Sequence, residues 1–286
     1  MDNDFYFAPQ DQYYSSGIFV GISYLTSQSK PYYPFSGEAK PTLKNITHWK
    51  IKQYLYSPSD INNVIFDRMD RPFAGLFTIS YSKSWLLATR GWHREIEIGL
   101  IGPWSQVERF QKSWHRFFNM DEPLLWEFQI KNSPALIWRE TWMVRSVKLA
   151  QGDVLSNTTV EVGTIFNTIK QEYQLRWGKV QSLEQSTATG SLLGANRLKT
   201  RSAFEDYVFI SQGLKGVAYN ATIQGRIWGS NTAATDKVKR LVYESKLGYT
   251  LAYTNWDLSG IFVLQSPENE KAEWHRYIRL NWSYRF

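Results

Sequence analysis

One histidine in this sequence lies where it could take part in proton transfer. Glu108, Gln111 and His115 fall at i, i+3 and i+7, so they would share one face of a helix. The opposite face would be aromatic, with Phe110, Trp114, Phe117 and Phe118. An imidazole is the side chain best suited to general acid–base catalysis near neutral pH. Two interpretations stay open from these residues alone: a catalytic base and a structural histidine.

The helix that would carry His115 interrupts a chain that otherwise alternates like β-strand. It follows the dipeptide Gly102-Pro103, and Ser105 is close enough to act as its N-terminal cap. We therefore predict a helical insertion at about 104–119. Asp121 and Glu122 follow the histidine closely in sequence. Their carboxylates could orient the imidazole, bind a metal ion or simply end the helix.

A second group of candidate residues lies at the start of the chain. Asn3 and Asp4 are followed by Asp11, and amide and carboxylate oxygens are the ligands that hard cations prefer. The spacing is not that of an EF-hand loop. The alternative is a solvated acidic tip that binds nothing.

Other kinds of catalytic site find little support. The chain has no cysteine, which excludes a thiolate metal site or a disulfide scaffold, and it has no Gly-x-Ser-x-Gly sequence. Its other histidines are too few and too scattered for a polyhistidine metal site. His48 and His275 stand between strand residues, which predicts core or interfacial positions, and His93 follows a turn, which predicts a surface position.

Alternation of apolar and polar residues predicts an all-β fold. Tyr249, Leu251 and Tyr253 alternate with polar residues, as does the carboxyl-terminal stretch 280–286. Similar runs lie at 17–25, 44–56, 75–82, 94–100, 135–148, 158–168, 204–212, 216–228, 239–254 and 258–265. The stretch 182–199 is rich in Ser, Thr and Gly, which predicts a loop. No linker divides the sequence, so we expect a single domain over 1–286.

Composition favours a transmembrane antiparallel β-barrel over a soluble β-sandwich. The chain has 13 Trp and 17 Tyr at a mean hydropathy of −0.42, as expected of a barrel with aromatic girdles. No run of about 18 apolar residues predicts a spanning helix. The net charge of +7 suits an anionic partner. Because the Lys and Arg residues form no dense run, we expect no nucleic acid as partner.

Four sequence blocks resemble the outer-membrane lipid A 3′-O-deacylases, the LpxR family. The blocks are Asn3-Asp4-Phe5, then Asp11-Gln-Tyr-Tyr-Ser-Ser-Gly17, then Tyr56-Ser-Pro-Ser59 with Asp70-Arg-Pro-Phe-Ala-Gly75, and finally 99–103 through Gln111 and His115 to 126–132. The last block is the most specific, because its Gly-Pro, Gln and His keep the family's spacing. The resemblance covers nearly the whole chain.

The resemblance implies a fold, a reaction and a set of site residues. The fold would be a twelve-stranded barrel in the bacterial outer membrane, with a short helix packed at the active site. The protein would be a calcium-dependent esterase that removes the 3′-linked acyloxyacyl group of lipid A in lipopolysaccharide. The implied catalytic residues are His115, which would activate water, with Asn3, Asp4, Ser15 and Asp121. The implied metal ligands are Asp4, Asn3 and Asp121. We expect a monomer.

The chain also departs from the family pattern. Asn63 falls near the position of a site lysine, so the resemblance implies that this positive charge is missing or supplied elsewhere. Asn119 replaces a glycine one turn after the histidine, and Ser133 replaces a glutamate. The departures leave an alternative function open: an outer-membrane barrel without catalytic activity, either porin-like or structural.

Overall fold

Twelve antiparallel strands close into a barrel in a computed structural model of the chain. The structure describes residues 1–4, 12–26, 44–62, 65, 68–190, 192–193, 204–229, 231 and 234–286. The strands are β1 (Asp2–Asn3), β2 (Tyr13–Leu25), β3 (Lys44–Ser57), β4 (Ala74–Leu86), β5 (Arg90–Ile101), β6 (Ser133–Leu149), β7 (Gly152–Gly163), β8 (Phe166–Lys179), β9 (Glu205–Asn220), β10 (Leu241–Ala252), β11 (Trp256–Gln265) and β12 (His275–Tyr284). Each strand pairs with its neighbours in sequence, and β1 pairs with β12 to close the sheet.

In the part of the chain that the structure describes, two helices connect strands at one rim of the barrel. Helix α1 (Val107–Phe117) lies between β5 and β6, and the single-turn helix α2 (Ala221–Gln224) follows β9. We call this the upper rim, where β3 ends at Ser57 and β5 ends at Ile101. The lower rim is the opposite one, where β4 ends at Leu86 and β6 ends at Leu149. No helix in the described residues is long and apolar enough to cross a membrane.

The predicted strands are confirmed except at two turns. The run 158–168 predicts one strand, but β7 ends at Gly163 and β8 begins at Phe166. The amide side chain of Asn167 binds both the N–H and the C=O of Gly163, which closes this turn. The runs 204–212 and 216–228 predict two strands, but one strand, β9, continues from the first run into the second and ends at Asn220, so 221–228 are not strand. There the Asn220 side chain accepts from Thr222 N at 3.0 Å and starts α2.

The barrel wall is polar on its inner side and apolar on its outer side. Glu97 is fully buried inside, where its carboxylate accepts from Lys52 at 2.8 Å and from Thr78 at 2.8 Å and also contacts Arg139. Outward positions on the same strands are exposed apolar residues, among them Ile51, Ile79, Ile98, Leu136 and Trp138. Such an arrangement is typical of a barrel whose outer wall contacts lipid.

A short segment between β8 and β9 crosses the lower mouth of the barrel. On the side of β8 and β9, Arg176 Nη1 donates to Ser186 Oγ at 2.6 Å and Thr187 N donates to Glu205 Oε2 at 2.7 Å. On the side of β3, Lys44 Nζ donates to the carbonyl of Glu184 at 2.8 Å. Because β3 and β8 lie on opposite sides of a twelve-stranded barrel, these contacts span its mouth.

Three connections meet across the upper mouth. Arg71, fully buried in the segment between β3 and β4, donates to Thr222 Oγ1 of α2 at 2.8 Å and lies 3.5 Å from the carboxylate of Glu268. Asn269, between β11 and β12, donates to the carbonyl of Asp70 at 2.7 Å. Side chains from distant parts of the sequence therefore close both mouths.

Candidate functional site

Helix α1 turns its polar stripe toward the barrel and its aromatic stripe away from it. Val107, Gln111 and His115 are buried, and His115 is only 2% exposed. The aromatic residues are exposed, with Phe117 at 82%. A helix of a soluble protein shows the reverse pattern, with its apolar stripe buried. The predicted two-faced helix is therefore confirmed, and its polar face is the one that packs.

Ser105 contacts the start of this helix as predicted, but it does not occupy the N-cap position. Ser105 ends a short 3-10 turn, Pro103–Ser105, and Gln106 occupies the N-cap position with a left-handed backbone at φ 61°. Val107 N, the first amide of the helix, donates to the Ser105 hydroxyl at 3.4 Å, whereas the side chain of Gln106 accepts no capping hydrogen bond. The Gly-Pro turn therefore sets where the helix begins.

A glycine and several side-chain hydrogen bonds fix the helix on the outer wall. A Cβ on Gly75 of β4 would lie 2.5 Å from Val107 Cβ, so only glycine allows this close approach. Trp126 Nε1 donates to Gln111 Oε1 at 2.8 Å, and both side chains are buried. Gln129 Nε2 donates to Glu108 Oε2 at 2.8 Å. The segment after the helix thus holds α1 against the barrel along its length.

The ring of His115 is oriented by a backbone carbonyl. Its Nδ1 hydrogen-bonds with the carbonyl oxygen of Asp121. A carbonyl oxygen can only accept a hydrogen bond, so Nδ1 carries the proton in the neutral ring. Nε2 is then the nitrogen with the basic lone pair, as a general base requires.

The side chain of Asp121 points elsewhere. It is exposed, and its Oδ2 accepts from Asn62 Nδ2 at 3.1 Å. The backbone of Asp121 therefore orients the imidazole, and its carboxylate ties the segment after α1 to the segment after β3. A metal-binding role for this carboxylate stays a prediction.

Ser15 lies in a β-bulge at the upper end of β2. The register between β2 and β3 shifts between Tyr14 and Ser16, which leaves Ser15 as the extra residue. Its hydroxyl is buried and hydrogen-bonds with that of Ser57, the last residue of β3. Bulges commonly re-aim a side chain beside an active site. Here the bulge directs Ser15 to Ser57, where β3 ends and the connection that contains Asn62 begins.

Asn3 and Asp4 lie beside Ser15 at the same rim. Asp4 N donates to the Ser15 carbonyl at 3.3 Å, and its buried carboxylate accepts from Gln12 N at 2.6 Å. Asn3 pairs with Ser16, which lies on the same side of β2 as the exposed Val20 and Ile22 and so faces outward. Asn3 therefore lies on the outer side of the wall, the side on which α1 packs.

A series of contacts links His115 to Ser15, and Asn3 and Asp4 lie beside Ser15. His115 binds the backbone carbonyl of Asp121, and the Asp121 carboxylate binds Asn62. The segment containing Asn62 leaves Ser57, the partner of Ser15. These contacts run along the outer wall at the upper rim. Within the described part of the chain, no three or more His, Cys, Asp and Glu residues cluster as a metal site would require. Asp11 and Asn63 lie outside the described residues.

Sequence reasoning missed four of the residues that build the site. These are Ser57, Asn62, Gly75 and Trp126. Ser57, Gly75 and Trp126 lie in the matched blocks, whereas Asn62 lies between Ser59 and Asp70, outside them, and no sequence signal marks it. The surface position predicted for His93 is wrong. Its Nδ1 lies 2.8 Å from Ser84 Oγ inside the barrel, where its ring contacts that of His48.

The whole chain matches a known protein family. A model of the family described as "Outer membrane protein LpxR" matches residues 1–286. The chain belongs to the LpxR family. A similar solved structure is LpxR from Salmonella typhimurium, with a TM-score of 0.76 and 19% identity over 100% of this chain and 98% of that one. No curated protein sequence matches this chain. At this identity, the structural likeness shows the fold.

The family match and the fold test two expectations from the sequence, the membrane barrel and its alternative, the soluble β-sandwich. The twelve-stranded barrel and its place in the bacterial outer membrane are confirmed. The soluble β-sandwich is wrong, because the sheet closes on itself and its outer wall is apolar.

Proposed function

We propose that this LpxR-family protein hydrolyses the 3′-linked acyloxyacyl ester of lipid A in lipopolysaccharide. The observation that carries the proposal is the buried polar stripe of α1, with the oriented imidazole of His115 on the outer wall of the barrel. A site on the outer wall is open to a lipid that approaches within the membrane. The upper rim, which has the long connection 102–132, would face the outer leaflet, where extracellular loops are the longer ones.

In this mechanism His115 acts as the general base. Its Nε2 takes a proton from the water that attacks the ester carbonyl, while the Asp121 carbonyl holds Nδ1–H and stabilises the imidazolium that forms. A positioned base of this kind contributes about 10²–10⁴-fold to the rate. The proton then passes from Nε2 to the leaving alcohol. No serine nucleophile is needed, and Ser15 would position the ester or the water through its hydroxyl.

Calcium is the proposed cofactor. Asn3 and Asp4 would hold it, because an amide oxygen and a buried carboxylate are oxygen ligands of the type that calcium takes. When bound, the ion would polarise the ester carbonyl. The Asp121 carboxylate, which is engaged with Asn62, would have to turn to join these ligands.

The alternative of a porin-like barrel finds less support. Arg71, Glu268 and Asn269 bridge the upper mouth, and the Glu184–Thr187 segment bridges the lower one. A porin leaves an aqueous channel through its barrel, whereas these contacts cross both entrances. Conductance of the purified protein in planar bilayers should therefore stay at the level of the bare membrane.

The deciding experiment is mass spectrometry of lipid A from cells that express the protein. We expect the wild type to remove the 3′ acyl groups, His115→Ala to leave lipid A intact, and His93→Gln to behave as the wild type. His93 is the matched control because it is a histidine inside the barrel and away from α1. A chelator should stop the reaction, and added calcium should restore it. Intact lipid A with folded wild type and calcium present would refute the proposal.

A further inference from the structure

A group of charged side chains lies on the outer wall in the lower half of the barrel, away from the proposed active site. Lys83 on β4 pairs with Arg94 on β5, and Arg94 pairs with Glu140 on β6, so the three form one row across the sheet. All three face outward, because the residues that alternate with them face the interior. Ser82 and Ser84 are buried inside, and Arg139 contacts the interior carboxylate of Glu97.

Aromatic residues enclose this row above and below. The row on the lower side consists of Trp85, Trp92 and Trp142, with the first two rings stacked 4.6 Å apart. The row on the upper side includes Tyr81 and Trp138. Aromatic girdles of outer-membrane barrels mark the level of the lipid headgroups. The charged row therefore lies at the interface near the lower rim, where the energetic cost of a lipid-facing charge is small.

Neighbouring side chains hold Arg94 in a position that leaves its two terminal nitrogens accessible to a ligand. Its Nε donates to Glu140 Oε1 at 2.5 Å, and its guanidinium carbon lies 4.8 Å from the ring of Trp92 and 5.0 Å from that of Trp138. Trp92 Nε1 and Trp138 Nε1 also donate to Glu140, which fixes the carboxylate. Nη1 and Nη2 of Arg94 bind no acceptor in the described residues, and the side chain is 39% exposed.

Lys83 adds a second positive charge beside the first. It is half-buried and makes no hydrogen bond or ion pair within the described part of the chain. Like charges directly opposite each other on a sheet destabilise it. Glu140 neutralises only one of the two cations, so the row has a net charge of one positive unit. An anion that bridges Lys83 and Arg94 would remove this repulsion.

We propose that Lys83 and Arg94 bind the phosphate of an anionic phospholipid in the leaflet at the lower rim. A guanidinium presents paired N–H donors that match phosphate oxygens, and a lysine adds a mobile point charge. The position within an aromatic girdle places the ligand phosphate at headgroup level, with its acyl chains along Ile79, Ile98 and Leu136. A zwitterionic headgroup binds less well, because its own cation neutralises the phosphate.

The test is native mass spectrometry of the purified full chain, titrated with phosphatidylglycerol and separately with phosphatidylcholine of the same acyl chains. We expect tighter binding of phosphatidylglycerol, and about tenfold weaker binding after Lys83→Gln with Arg94→Gln. Lys179→Gln is the matched control, because Lys179 also faces outward at the lower rim but pairs with Asp206. It should keep the wild-type affinity.

Several outcomes would overturn the proposal. Equal phosphatidylglycerol affinity in all variants would show that Lys83 and Arg94 do not bind the lipid. Displacement of the lipid by an equal concentration of inorganic phosphate would show a site for small anions. A dimer mass that disappears as lipid is added would show that a second copy occupies the surface. If the double variant does not show heat-modifiable migration on gels, Lys83→Gln alone decides, because the Lys83 side chain makes no hydrogen bond or ion pair in the described residues.

Discussion

Replacing Gly75 with alanine should move α1 and leave the barrel intact. The new Cβ would lie 2.5 Å from Val107 Cβ and 2.6 Å from Ser105 Oγ. Ordinary contacts of this kind lie at about 3.5–4 Å, so the helix must move outward by roughly 1 Å. Gly75 itself lies in a regular strand opposite Leu55, so its backbone accepts alanine without strain.

The consequence for activity follows from where the imidazole lies. His115 is on the same helix face as Val107, two turns further along, so a shift of α1 also moves Nε2. A misplacement of about 1 Å at a catalytic group costs about 10²-fold in rate. The stability cost of such overpacking is typically about 1–3 kcal/mol, and here it falls on the contact between helix and wall.

The assay is the rate of 3′ acyl release from lipid A, measured by mass spectrometry on folded protein. Gly260→Ala is the control, because a Cβ there meets only Leu280 Cδ2, at 3.8 Å. We expect Gly260→Ala to retain wild-type activity and Gly75→Ala to lose most of it, with both migrating as heat-modifiable barrels. If Gly75→Ala is as active as Gly260→Ala, the position of α1 does not control the reaction, and the reasoning fails.

Three further predictions concern single side chains. Gln111→Leu leaves the buried Trp126 indole without its acceptor and should lower the unfolding free energy by about 1–3 kcal/mol in denaturant titrations. Adding Trp126→Phe should recover part of that loss, and equal stability of the single and double variants would contradict this. Ser15→Thr should retain acyl release and Ser15→Ala should reduce it, if the hydroxyl at the bulge positions the ester; equal rates would leave the hydroxyl without a role. Burial raises the pKa of Glu268, but Lys215 and Arg71 outweigh it and lower that pKa below its ordinary value of 4.5. The carboxylate of Glu268 should therefore stabilise the fold fully above about pH 4.5 and progressively less as the pH falls below it. The melting temperature of Glu268→Gln should then depend less on pH in that range than that of the wild type. Parallel plots of melting temperature against pH for the two proteins would contradict this role of Glu268.

The barrel could be predicted because alternation is a property of the sequence itself. A strand between lipid and a polar interior must change polarity at every residue, and this pattern is visible wherever the strand is regular. The prediction failed where a side-chain hydrogen bond ends a strand. Asn167 binds Gly163 at the end of β7, and Asn220 binds Thr222 at the end of β9. Hydropathy continues smoothly through both turns, so only the hydrogen bonds reveal them.

The site could be predicted only in part. The spacing of Glu108, Gln111 and His115 predicted one helix face, and that face packs on the barrel. Spacing could not show that Asp121 offers its carbonyl to His115 and its carboxylate to another segment. The contact of Ser15 with Ser57 depends on the bulge, and a bulge is a property of the register between two strands.

The inverted faces of α1 also constrain the order in which the protein assembles. An isolated helix of eleven residues is marginally stable in water, and this one has aromatic side chains on the face that ends up exposed. Its polar face has no binding surface until β3 and β4 are paired, and its aromatic face has no apolar surroundings until lipid is present. We therefore expect α1 to form last during refolding into bilayers, after the barrel has closed. The exposed aromatic residues would then make helix docking depend on the membrane as much as on the protein.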